Sequence, residues 1–346
     1  MPRSPISREE RTSTSTLPTS AAGSSRKSSA SAKLLEADSI ALGRRLDGVS
    51  FCVRAGETLA VLGPSGAGKT SLLRSICGLE SIDSGDVRLD GRSVTQLQPQ
   101  DRRIALVFQD DTLFPHLTLE KNMTFGMRPA DSDRVRDLAR ALEIEDVLRE
   151  RPGRVSGGER RRAALARALL SDPAALLLDE PLAHLDPQLR IRVREAFVRV
   201  MRAWGGPAVF VTHDHEEALA AGDRVAILIE GRLVQCGAPR DVYDRPATLQ
   251  AARFLGMPWM NVFDGPMITA IRSEFVRIDP RAELRGTVLS TEHWGADSFV
   301  RAATPRGELL ARVRSTQPLP QPGDETGFLL DEQHVLRYDR ITGQLL

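Results

Sequence analysis

Short apolar runs and amphipathic stretches alternate along the chain from about residue 34 to residue 237. Residues 58–62, 104–108, 175–178, 208–212 and 224–230 are almost wholly apolar over strand length. Runs of that kind suit strands covered on both faces. Residues 70–77 have helical spacing with Gly78 placed to stop them, and residues 160–170 form a second, arginine-rich helical run. The polar block 132–150 also reads as helical and supplies no strand. This order predicts an α/β sheet with crossover helices and an inserted helical subdomain. Beyond Pro258 the pattern changes to brief β-like runs broken by Gly and Pro, at 286–289, 298–300, 309–313 and 327–330. They predict a small β-barrel or sandwich.

A chain of 346 residues exceeds one typical domain, so two folded units are expected. Residues 1–33 are set apart: fourteen are Ser or Thr, and six basic against two acidic residues leave +4. That stretch cannot support a core and has no apolar secretory segment, so it reads as a disordered tail. The formal charge of the whole chain is +1, which removes the basic footprint of a nucleic-acid binder. No run of 18 apolar residues exists, so a membrane role would come through partners. Cys52, Cys77 and Cys236 are far apart and form no C-x-x-C pair, as expected of small buried side chains in a reducing compartment.

The chemistry starts at Gly63-Pro64-Ser65-Gly66-Ala67-Gly68-Lys69-Thr70, a G-x-x-x-x-G-K-[ST] loop between a strand-like run and a helix. Glycines let successive N–H groups face phosphates, and the helix adds its positive end. Lys69 can reach the β- and γ-phosphates and the Thr70 hydroxyl can ligate Mg²⁺. Only Lys27, Lys33, Lys69 and Lys121 are lysines, and one of these four stands in the loop. Gln109 ends another strand, where it can ligate Mg²⁺ or place an attacking water. Ser156-Gly157-Gly158-Glu159 opens the arginine-rich helix, with Ser156 a natural N-cap and the glycines a second anion-binding end. Asp179 and Glu180 end the strand of residues 175–178 at the sheet edge where ligands bind. Asp179 suits Mg²⁺ and Glu180 suits the base that polarises water. His213 ends a strand at the same edge and can hold that water against the γ-phosphate. The other histidines (His116, His184, His215, His293, His334) read as structural.

In order and spacing, Gly63 to Thr70, Gln109, Ser156 to Glu159, Leu178-Asp179-Glu180-Pro181, Leu185-Asp186 and Thr212-His213-Asp214 resemble the ATPase subunit of ABC transporters. The resemblance spans about residues 34–256. It implies a P-loop α/β fold with a helical subdomain at about 110–165, after a 1–33 tail and before an OB-like, transport-associated regulatory domain at 257–346. It implies a homodimer in which ATP lies between Gly63, Pro64, Ser65, Gly66, Ala67, Gly68, Lys69, Thr70 and Ser71 of one protomer and Ser156, Gly157, Gly158 and Glu159 of the other. Mg²⁺ is then expected on Thr70, Gln109 and Asp179. Glu180, His213, Gln109 and Lys69 are expected to act in hydrolysis, with Asp186 at the dimer contact.

Residues 108–118 look like the importer segment that meets membrane permeases, and Phe254 to Asn261 looks like the maltose and glycerol-phosphate branch. The resemblance thus implies a subunit on the cytoplasmic face of the plasma (inner) membrane, driving uptake of a sugar or glycerol phosphate. Polyamine, iron, sulfate or thiamine are the alternatives, and an external solute-binding protein is an indirect partner. A soluble ATPase of this family acting on DNA or ribosomes is the remote alternative. It is disfavoured because the chain holds one cassette and no long coiled-coil insertion, and no nucleic-acid partner is expected. Three departures stand out. Ile40-Ala41-Leu42-Gly43-Arg44-Arg45 lacks the aromatic that usually stacks on adenine, leaving Leu42 or Arg44 to substitute. Glu159 stands where Gln is commoner, and the OB-like domain looks shortened between Asn261 and Ile271.

Overall fold

The computed structural model describes residues 34–109, 113–126, 132–183, 187–256 and 260–346. The expectations for the 1–33 tail, for residues 110–112, for Leu185 and Asp186, and for 257–259 lie outside them.

Five parallel strands carry the nucleotide loop. In chain order they are β3 (Thr58–Leu62), β6 (Ile104–Val107), β7 (Ala175–Asp179), β8 (Ala208–Thr212) and β9 (Arg224–Ile229), with β10 (Arg232–Gly237) antiparallel at one edge. Their order across the sheet is β10-β9-β3-β8-β7-β6. The apolar runs are continuous because both faces of this sheet are covered. Leu59, Val61, Leu177, Val209, Val211, Ala226 and Leu228 fill one core. Their neighbours Ala60, Leu62, Leu176, Leu178, Ala208, Phe210, Val225 and Ile227 fill the other. The period-2 alternation of a strand therefore divides one run of apolar residues between two cores.

The first core is closed by α1 (Lys69–Cys77) and by an antiparallel sheet of β1 (Leu34–Leu42), β2 (Leu46–Arg54), β4 (Ser84–Leu89) and β5 (Arg92–Ser93), in the order β2-β1-β4-β5. Gly78 ends α1 in the left-handed region, as the sequence predicts. Buried Arg102 then donates to the carbonyls of Ser75 at 3.0 Å and Ile76 at 2.8 Å, which the helix end leaves free.

Helices α2 (Leu119–Met123), α3 (Ser132–Ala141), α4 (Gly157–Leu170), α5 (Pro187–Trp204) and α6 (His215–Ala221) belong to the second face. The helical block expected over 132–150 breaks after α3. Glu143 takes a left-handed φ of 55°, and its neighbours Leu142 and Ile144, each 1% exposed, both enter the core.

After β10 come α7 (Pro239–Asp244) and α8 (Leu249–Leu255), then two more sheets. One holds β11 (Met260–Phe263), β12 (Ile268–Arg272) and β18 (Leu336–Tyr338). The other holds β13 (Val276–Ile278), β14 (Leu284–Trp294), β15 (Asp297–Thr304), β16 (Gly307–Arg314) and β17 (Glu325–Leu330), ordered β13-β17-β14-β15-β16. All four apolar runs predicted beyond residue 258 fall on strands β14 to β17. A small core of Ala252, Ile268, Ala270 and Tyr338 joins α8 to this region, and the Tyr338 hydroxyl donates to the Pro246 carbonyl at 3.0 Å.

Candidate nucleotide site

Register brings the predicted residues to one edge. Val107 pairs with Leu178, Leu178 with Phe210, Asp179 with Val211, and Leu62 with Thr212. Parallel strands end together, so Gly63, Gln109, Glu180 and His213 all follow strand ends on the same side of the sheet.

The loop is shaped by its glycines. Gly68 has φ 99°, and a Cβ there would overlap the carbonyl oxygen of Arg45. The chain just before β2 therefore lies against the phosphate loop, and only glycine permits that approach. Arg45 also donates to the Ser71 hydroxyl at 3.0 Å and to Glu80 at 2.8 Å. Arg45 was not among the residues expected at the site, and nothing in its local spacing marks it. Of the two residues expected to face a base, Leu42 is buried and Arg44 is exposed.

Lys69 folds back on the loop, its Nζ donating to the carbonyls of Gly63 at 2.8 Å and Pro64 at 3.0 Å. Burial lowers its pKa, while the charges of Glu180 and Asp179 oppose that shift. Asp179 is pushed the other way. Burial raises its carboxyl above the usual range, against a hydrogen bond from the Thr70 hydroxyl. Burial thus disfavours the charged form of both Lys69 and Asp179, while the opposite charge of each supports the other.

Glu180 leaves the strand through a left-handed φ of 49°, its N–H still bonded to the Val211 carbonyl at 3.0 Å. Non-glycine residues held there are uncommon and concentrate at functional sites. Its carboxylate spans two partners: His213 Nδ1 lies 2.8 Å from Oε1, and Gln109 Nε2 donates to Oε2 at 3.3 Å. Asp179 and Glu180, adjacent in sequence, thus face different partners.

The residues on either side of His213 are fixed by a network that sequence reasoning missed. The Thr212 hydroxyl donates to Glu217 at 2.8 Å and accepts from the Asp214 N–H at 3.0 Å. Asp214 caps α6 by accepting from the Glu217 N–H at 3.1 Å, and Arg190 on α5 donates to Asp214 at 3.0 Å. The spacing Asp214-x-x-Glu217 is that of a capping box, yet the Glu217 side chain turns to Thr212 instead. Ser156 and Glu159 do form the capping box: Ser156 Oγ accepts from the Glu159 N–H at 3.3 Å, and Glu159 accepts from the Ser156 N–H at 2.7 Å. Ser156 and Gly157 are exposed at the start of α4, and Gly158 is buried.

A family model described as ABC transporter matches residues 46–183, and one described as TOBE domain matches residues 269–337. The chain is 38% identical over 293 residues to the sn-glycerol-3-phosphate import ATP-binding protein of Rhizobium meliloti, covering 76% of this chain and 84% of that one. It belongs to the ABC transporter family. The corresponding protein of Salmonella typhi is 35% identical over 329 residues, covering 84% of this chain and 92% of its own length. Two solved structures share the cassette. A bacterial Atm1-family ABC exporter with ATP bound aligns at TM-score 0.54 and 27% identity, covering 61% of this chain and 39% of that one. A dimeric ATP-binding cassette bound to ADP and Pi aligns at 0.52 and 28%, covering 60% of this chain and 99% of that one.

This ABC ATPase is of the importer type, an α/β P-loop cassette followed by a TOBE domain. Cassettes of this family bind ATP, dimerise and work with membrane permeases. Among the described residues no helix is long and apolar enough to cross a membrane.

Proposed function

We propose that this ABC ATPase powers uptake of a glycerol phosphate or a sugar through permease partners at the cytoplasmic face of the plasma membrane, and that Glu180 polarises the water that attacks ATP. The observation that carries the catalytic reading is the Glu180 carboxylate, held by His213 Nδ1 at 2.8 Å and Gln109 Nε2 at 3.3 Å beside the Lys69 loop. The two contacts fix the orientation of the carboxylate, one at each oxygen, as a positioned base requires. Water bound to Glu180 would lose its proton toward Oε as its oxygen attacks the γ-phosphorus, and the bond to the β–γ bridging oxygen would break. With a proton on each ring nitrogen, His213 would keep Glu180 in place through Nδ1 and donate to the γ-phosphate through Nε2. Lys69 would turn from the Gly63 and Pro64 carbonyls to the phosphates, exchanging neutral acceptors for anionic ones. Little covalent chemistry falls to the protein, so positioning and charge stabilisation dominate.

The oxygen donors here suit Mg²⁺, a hard cation that favours few carboxylates plus phosphate oxygens. The Thr70 hydroxyl already meets the Asp179 carboxylate, whose charged form burial disfavours until a cation arrives. Gln109 donates through Nε2, so its Oε1 remains a candidate ligand. Bound there, the ion would neutralise charge on the β- and γ-phosphate oxygens. The exposed start of α4 supports a dimer in which Ser156, Gly157, Gly158 and Glu159 of the partner subunit close the site on ATP. The cargo assignment rests on the import proteins that the chain resembles along most of its length. Its test is uptake of labelled glycerol phosphate and maltose by cells carrying or lacking this gene. Loss of neither uptake on deletion would refute the cargo class.

A further inference from the structure

The cleft between α7 and the C-terminal strands is open to solvent and has a volume of about 940 Å³, and its polar lining is mostly arginine: Arg240, Arg245, Arg272 and Arg337 stand with Asp244, Gln333 and His334. Two of these charges are already matched. Arg240 pairs with Asp244 at 3.2 Å, and Arg337 pairs with Glu332 at 2.9 Å. Arg245 and Arg272 have no carboxylate partner among the described residues. For Arg272 this is unusual, because it is only 7% exposed. Its guanidinium lies 3.7 Å from the centre of the Tyr243 ring and donates to the Tyr243 carbonyl, while its Nε is buried with no hydrogen-bond partner. A buried cation held only by a ring and a carbonyl lacks the counter-charge that normally accompanies a buried guanidinium.

We infer that this cleft is an anion site, separate from the nucleotide loop, which takes a phosphate dianion or the phosphoryl group of a small phosphate ester. Two guanidiniums without a carboxylate partner thus line one cleft, and charge-assisted donors of this kind suit the oxygens of a tetrahedral dianion. Met267, Phe275 and Leu336, also in the lining, leave room beside that head for a short organic body. The anion would bridge α7, which follows directly on the nucleotide-binding sheet, to β12 of the C-terminal region. Occupancy would therefore bear on how these two parts hold together. The inference needs neither the proposed cargo nor the roles given to Glu180 and His213.

The test is calorimetric titration of the full-length protein with inorganic phosphate and, separately, with glycerol phosphate. A non-hydrolysable ATP analogue is kept saturating, so that the phosphate loop is filled. About one equivalent is expected to bind, with affinity falling roughly tenfold in Arg245→Gln and further in Arg272→Gln, as the loss of a charge-assisted bidentate contact implies. Arg285→Gln, an equal change of charge outside the cleft, should leave the affinity unchanged. Arg245 is exposed, so its variant tests the idea even if Arg272→Gln fails to fold. Equal affinity for both probes assigns the site to phosphate itself, and tighter glycerol phosphate assigns it to an ester. Absence of binding to the wild type, or an equal loss in Arg245→Gln and Arg285→Gln, would overturn the proposal. Affinity for the ATP analogue, read in the same samples, reports separately on the nucleotide site.

Discussion

Glu180→Gln separates the chemistry of the site from its architecture. The substitution keeps volume and replaces one carboxylate oxygen by NH₂. One carboxamide oxygen can still accept from Gln109. The new NH₂ can donate to His213 Nδ1, provided the imidazole adopts the tautomer with its proton on Nε2. The structural cost is then one rearranged hydrogen bond on a side chain 14% exposed, about 1 kcal/mol. What disappears is basicity. Loss of a positioned general base costs roughly 10²–10⁴ in rate, or about 2.7–5.5 kcal/mol in the barrier. Phosphate release under single-turnover conditions should fall by that factor, while nucleotide affinity stays within about threefold of wild type and ATP still drives dimer formation on a sizing column. Turnover within about threefold of wild type would refute a role for Glu180 as base. Loss of ATP binding together with turnover would show instead that the carboxylate mainly holds the loop.

Four further outcomes follow from the same geometry. Lys69→Ala removes the ammonium expected to meet the phosphates, so ATP binding measured by fluorescent-nucleotide titration should weaken at least about tenfold, as a lost charge-assisted contact implies. When Ser156→Ala and Lys69→Ala protomers are mixed, one composite site per heterodimer should remain intact, and a mixture no more active than either variant alone would count against the shared site. Arg102→Met strips the carbonyls of Ser75, Ile76, Leu97 and Thr95 of a charged donor; a loss of about 3 kcal/mol is expected in urea unfolding. Burial raises the Glu217 pKa, so the folded protein holds that proton to higher pH than the unfolded chain. Its contribution to stability is undiminished below the ordinary glutamate range and falls as pH rises through the raised value. Glu217→Gln keeps an acceptor for Thr212, so its melting temperature relative to wild type should climb between mildly acidic and neutral buffer.

Local sequence determined the parts of the site whose chemistry is carried by adjacent residues. The phosphate loop, the Ser156–Glu159 cap and the acidic end of β7 each depend on backbone conformation within a few positions, and glycine spacing or an apolar run is enough to reveal them. The same holds for Gly78 at the end of α1, where only a residue tolerant of positive φ closes the helix so tightly. The antiparallel sheet of β1, β2, β4 and β5 was less legible. Its half-buried strands alternate weakly, and bulges near Ile40 shift their register. Which partner each functional group meets was decided only by tertiary structure. Gln109 and Glu180 are 71 positions apart, and strand register joins them. The Arg45 contact with Gly68, the turn of Glu217 toward Thr212 and the Arg272 cleft are likewise long-range or competing contacts. Spacing along the chain shows which side chains can do chemistry, but the distance between two such groups is set by how the sheets and helices pack.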